Sequence, residues 1–69
     1  MNRYAINDRN IISVGYDEMN KTLEIEFKLH VIHQYFDVSL DEFVALMKAP
    51  AIETHYFNYV YSQYYFDVD

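Results

Sequence analysis

The chain reads as an α+β domain: a three-stranded antiparallel meander followed by two helices packed on one sheet face. Three observations predict this. Apolar and polar residues alternate with the period of a half-buried strand in successive stretches between Ile12 and Val38. From Ser39 the period lengthens to that of an amphipathic helix, and the serine is a good cap. A single glycine and a single proline leave room only for short connections.

In the first strand Ile12, Val14 and Tyr16 alternate with Ser13 and Gly15, which sets the first three toward the core. Asp17-Glu18-Met19-Asn20 is polar and suits a short hairpin loop. The second strand, Thr22 to Lys28, places Leu23, Ile25 and Phe27 inward and Glu24, Glu26 and Lys28 toward water. A third strand spans Val31 to Val38, entered through Leu29-His30, a turn without glycine or asparagine. Ser39-Leu40-Asp41-Glu42 fits a capping box, in which the serine oxygen takes an amide and Glu42 reaches back to the cap. Leu40, Phe43, Val44 and Met47 form the apolar stripe of the helix. Pro50 disfavours helical backbone at Ala49, so this helix ends near Lys48. A second helix runs from about Glu53 to Gln63 with Phe57, Val60, Tyr61 and Tyr64 on one side. The tail, Tyr64 to Val68, reads as a short strand or an aromatic strap, and propensity favours the strand.

With 69 residues the chain is one domain over 1–69, its core covering roughly 11–66. Cysteine is absent, so neither disulfide nor thiolate metal site braces it, and apolar burial must supply the stability. Eight tyrosines and five phenylalanines provide the area. The net charge is −6 and the isoelectric point is near 4.7. Nucleic-acid binders normally carry a basic track. Here Arg3, Arg9, Lys21, Lys28 and Lys48 are scattered. No apolar run is long enough to span a membrane, and residues 1–10 lack the apolar core of a signal peptide. Cytoplasmic residence is the expectation.

Reaction chemistry is hard to find. His30 and His33 are three apart, which on a strand sends them to opposite faces. With no third ligand and no thiolate, no metal is expected. Glu24 and Glu26 beside Lys28 read as a solvated face rather than as a catalytic pair, which needs environments that split the two pKa values. His55 reads as a surface helix residue. Ser13, Ser39 and Ser62 have no histidine or aspartate at a nucleophile spacing, and the lone Gly15 cannot make a phosphate loop. The expectation is therefore no enzyme activity and no cofactor. What stands out is the crowding of Tyr56, Tyr59, Tyr61, Tyr64 and Tyr65 near the C-terminus. Tyrosine combines area, stiffness and a hydroxyl, which suits interfaces. Tyr56, Tyr59, Tyr61 and Tyr65 are the candidate partner-binding residues.

Ile12-Ser13-Val14-Gly15-Tyr16-Asp17, Thr22-Leu23-Glu24-Ile25-Glu26-Phe27, Tyr35-Phe36-Asp37-Val38 and Tyr56-Phe57-Asn58 together resemble the KTSC domain. That small family is similar to a segment at the C-terminus of some lysyl-tRNA synthetases and also stands alone in bacteria. The likeness runs from about Ile12 to Val60. The family's central Tyr-x-Tyr falls on His33-Gln34-Tyr35, and its turn glycines fall on His30 and Val31, so this chain departs from the pattern at both places. The resemblance implies no established activity, only a suggestion of RNA binding. On that reading Tyr35 and His33 stack on bases while Lys28, Arg3 and Arg9 touch phosphates. The composition favours instead a non-enzymatic module that binds a protein partner or self-associates through its tyrosine-rich surface. An acidic inhibitor borne by a phage or mobile element is a further alternative.

Overall fold

The computed structural model describes residues 1–68; residue 69, part of the expected domain, lies outside the described residues. One antiparallel sheet holds five strands in chain order: β1 (Asn2–Ala5), β2 (Ile11–Asp17), β3 (Thr22–Phe27), β4 (Val31–Tyr35) and β5 (Phe66–Val68). Between β4 and β5 lie α1 (Leu40–Lys48) and α2 (Ile52–Tyr56), and α2 continues into a π-helical turn at Phe57–Tyr61. The α+β class and the central meander are as expected. The sheet gains a strand at each end: β1, which was not anticipated, and β5, the tail segment.

The pairing explains which face is buried. Val14 lies opposite Ile25, and Tyr16, Leu23 and Tyr35 form one cross-strand row. These residues point the same way and pack with Val38, Leu46, Tyr56 and Val60 into a single core. Tyr16 also donates its hydroxyl to the Val38 carbonyl at 2.6 Å, tying the start of the helical layer to the sheet. Both helices therefore cover this face and leave the other open.

Three expectations about orientation are corrected. Ile12 was placed inward, but it is exposed and Ile11 is fully buried. The register slips between Ile11 and Ser13, and the extra residue of the bulge turns Ile12 outward. On α1 the inward residue is Leu46, whereas Leu40, given to the apolar stripe, is exposed. Phe43 and Met47 pack at the core margin. The second helix is rotated too: Tyr56 and Val60 are buried, while Phe57 and Tyr61 are exposed and Tyr64 is half-buried.

Local chemistry at the ends of α1 follows expectation in part. Ser39 Oγ accepts the Glu42 amide at 3.2 Å, and Ala49 is extended ahead of Pro50. Glu42 does not close the capping box. Its carboxylate instead meets His55 Nε2 at 3.2 Å and bridges α1 to α2. His55 is consequently half-buried rather than a plain surface residue.

Candidate functional site

The two faces of the sheet differ in chemistry, and each brings together residues distant in sequence. On the open face one cross-strand row reads Arg3, Gly15, Glu24, Gln34, Asp67. Gly15 is the residue that lets this row close. A Cβ there would lie 3.1 Å from Arg3 Nη1 and 2.7 Å from Met1 Sδ. With the site bare, the Arg3 guanidinium passes over β2 and pairs with Glu24. Gln34 donates to the other Glu24 oxygen. One row away, Arg3 Nε donates to Ser13 Oγ at 3.3 Å, Ser13 donates to Glu26 at 2.8 Å, and His30 Nδ1 meets Glu26 at 3.1 Å.

Glu24 and Glu26 are thus not a freely solvated pair, as their alternation suggested. Burial works against the Glu24 carboxylate, but hydrogen bonds from Gln34 and Arg3 outweigh it and hold its pKa below the ordinary value. Hydrogen bonds from His30 and Ser13 lower that of Glu26. Both stay ionised and internally paired, an arrangement that rigidifies the face and offers no proton poised for transfer near neutrality.

The helix-covered face ends in an aromatic wall where β4 and β5 meet the π-helical turn. Tyr35 and Tyr56, both essentially inaccessible, bring their hydroxyls into hydrogen-bond contact, and His33 Nδ1 lies 3.2 Å from the Tyr35 hydroxyl. Burial raises the phenol pKa of each tyrosine, most of all for Tyr35, and lowers that of His33. The trio is therefore neutral. Outside it the rings become accessible. Phe66 stacks on His33 at 4.7 Å and 14°, Tyr61 lies 5.7 Å from Phe66, and Phe57 meets Tyr61 edge-on at 5.7 Å. Phe57, Tyr61 and Phe66 are 52%, 47% and 37% exposed and form one continuous surface, with Val68 beside them on β5.

This placement sorts the expected site residues. Tyr56, given to the partner surface, is a core residue, because α2 turns it inward against Tyr35 and Phe27. Tyr61 lies on the exposed surface. Tyr59 is exposed but on another flank, packed on His55 at 4.6 Å. Tyr65 is 91% exposed, just ahead of β5. Of the RNA-contact set, Tyr35 is buried and has no face to offer a base, and His33 is covered by Phe66. Lys28 is exposed in the turn after β3, and Arg3 is committed to Glu24. Phe57 and Phe66 were missed as surface residues. Their apolar character argued for burial, and only the phase of α2 and the pairing of β5 reveal otherwise.

A concavity of about 460 Å³ lies between β1, the β2–β3 turn and α1. Tyr4, Tyr16, Leu40 and Phe43 line it, with Asp17 and Glu18 at its edge. Its residues converge no histidine or carboxylate onto a nucleophile. Among the described residues no group of three or more His, Asp or Glu side chains is placed to hold a metal ion, and no helix is long and apolar enough to cross a membrane.

The family model of the KTSC domain matches residues 7–65. The fold is similar to the crystal structure of a KTSC domain protein from Yersinia pestis, with a TM-score of 0.90 and 24% identity, over 96% of this chain and 93% of that one. At that identity the likeness speaks for the fold alone. No curated protein matches the chain.

Proposed function

The chain belongs to the KTSC domain family, and from that premise we propose that it is a non-enzymatic interaction module, binding a protein partner or a second copy through the surface of Phe57, Tyr61 and Phe66, with the exposed Tyr65 just ahead of Phe66 on the chain. The single observation carrying this reading is the continuous exposed aromatic surface beside β5, on a domain whose open-face carboxylates Glu24 and Glu26 are held by Arg3, Gln34, Ser13 and His30. Contiguous apolar surface is costly to leave in water, and aromatic residues dominate the energetics of protein interfaces. The edge of β5 carries no lysine or proline to discourage contact.

RNA binding has less support. Tyr35 is buried, the open sheet face holds Glu24, Glu26 and Asp67, and the net charge is −6. Phosphate neutralisation supplies most non-specific affinity for nucleic acid, and stacking at about 1–3 kcal/mol per base must then act against repulsion.

Sedimentation velocity over a concentration series, and selection of binders from a peptide display library on the immobilised full chain, test the reading. Tyr61→Ala and Phe57→Ala should melt within a few degrees of wild type, yet at least one should lose self-association or weaken the selected binders. A strictly monomeric chain whose selected binders ignore both substitutions would contradict it. So would saturable tRNA binding in the low-micromolar range at physiological salt that is weakened by Lys28→Ala.

A further inference from the structure

The outer edge of β5 adds a more specific demand to the aromatic surface. One residue beyond the paired stretch of β4 and β5, the Phe36 amide donates to the Tyr65 carbonyl at 3.2 Å and continues the pairing register. Antiparallel ladders alternate, so Tyr65 and Asp67 turn their amide and carbonyl groups toward β4. Phe66 and Val68 therefore turn theirs outward, and among the described residues no strand lies on that side. Their side chains lie on the helix-covered face, continuous with Tyr61.

The opposite face of the same edge has a different character. Asp67 ends the cross-strand row that begins at Arg3. Arg3 is spent on Glu24, Gln34 also serves Glu24, and Asp67 has no ion pair among the described residues. The row thus runs from a cation through Glu24 to an uncompensated carboxylate at the sheet margin. A cation directly opposite Asp67 on an added strand would complete it, and opposite charges across a pair of strands attract.

Resting on the interaction reading above, we infer that β5 accepts an extended segment of a partner protein as a sixth strand, with Lys or Arg opposite Asp67 and apolar residues opposite Phe66 and Val68. Main-chain bonds from Phe66 and Val68 supply the pairing, and the alternation of apolar and basic residues supplies the selectivity. A second copy of this chain fits poorly, since two β5 strands paired antiparallel about Asp67 would set two carboxylates face to face.

The test titrates short capped peptides into the isotopically labelled full chain and follows its backbone amides by NMR. One peptide has an Ile-Lys-Ile core, one an Ile-Glu-Ile core, and one an Ile-Lys-Ile core with both isoleucine amides N-methylated. The lysine peptide should bind about tenfold tighter than the glutamate peptide. It should shift the Phe66 and Val68 amides and slow their hydrogen exchange, and methylation should abolish binding. Asp67→Lys should reverse the preference. Shifts centred elsewhere, no binding of the lysine peptide, or a preference unchanged in Asp67→Lys would overturn the inference. Binding that survives methylation but is weakened by Tyr61→Ala would remove strand addition and leave the aromatic surface standing. Edge binding indifferent to Tyr61→Ala would do the reverse.

Discussion

The hydroxyls of Tyr35 and Tyr56 are unequal partners. Tyr35 has both Tyr56 and His33 within hydrogen-bond reach, whereas Tyr56 has Tyr35 alone. Removing the Tyr35 hydroxyl leaves a buried polar group with nothing to bond, at about 1–3 kcal/mol, while removing that of Tyr56 leaves Tyr35 still bonded to His33, at about 1 kcal/mol. Thermal melts should therefore rank Tyr35→Phe clearly below Tyr56→Phe. Equal losses would mean that His33 does not hold the Tyr35 hydroxyl. A second residue-scale prediction concerns Leu29, which sits at φ 67° and ψ 19° with its side chain 91% exposed. A bulky residue in the left-handed region costs about 1–2 kcal/mol, which glycine relieves at some entropic expense. Leu29→Gly should stabilise by about 0.5–1 kcal/mol. Denaturant midpoints that fall in this variant would show that the leucine side chain makes contacts worth more than the strain.

At the scale of elements, what was legible in the sequence is what burial had patterned. β3 was clear because Leu23 and Ile25 are buried and alternate with the paired Glu24 and Glu26. The start of α1 was clear because Ser39 caps it. β1 was not, because all its residues are exposed and no apolar period marks it. Ile12 is assigned the wrong phase because a bulge is invisible to strict alternation. α2 was misphased because the π-helical turn changes the residues per turn just where the tyrosines crowd. The aromatic surface was therefore half legible: Tyr61 and Tyr65 were named, Tyr56 was assigned to the wrong layer, and Phe57 and Phe66 were not seen as exposed. The phase of α1 can be checked directly. Leu46→Ala should cost about 2–5 kcal/mol, since the side chain is fully buried, whereas Leu40→Ala should stay within about 1 kcal/mol of wild type. The opposite ranking in chemical denaturation would rotate α1 and remove the packing of Phe43 on Tyr16, now stacked at 4.7 Å.

For the whole molecule, the neutral aromatic wall and the ionised open face respond differently to acid. Burial lowers the pKa of His33 below its ordinary 6.5, so the unfolded chain binds the proton more readily. Stability from this residue is complete above about pH 6.5 and declines as the pH falls toward the folded value. Asp17, held down by hydrogen bonds from Asn20, and Glu24 and Glu26 have lowered values as well. Their stability is present above their unfolded values, near pH 4–4.5, and is lost as the pH falls through the folded ones. Melting temperature should thus decline in two steps on acidification, and His33→Gln should flatten the upper one. A single step below about pH 4.5 in wild type would mean that His33 is not desolvated in the folded state.

The functional reading depends on the separation of a locked interior pair, Tyr35 and Tyr56, from the accessible Tyr59, Tyr61 and Tyr65. Nitration of the native chain with tetranitromethane, followed residue by residue by mass spectrometry, tests that division most directly. Tyr65 should react fastest, Tyr59 and Tyr61 should follow, and Tyr35 and Tyr56 should be protected until the chain is unfolded. Modification of Tyr35 or Tyr56 at rates comparable to Tyr65 would contradict the account, because a ring placed in the core would then be reachable and the working surface would have to be redrawn around it.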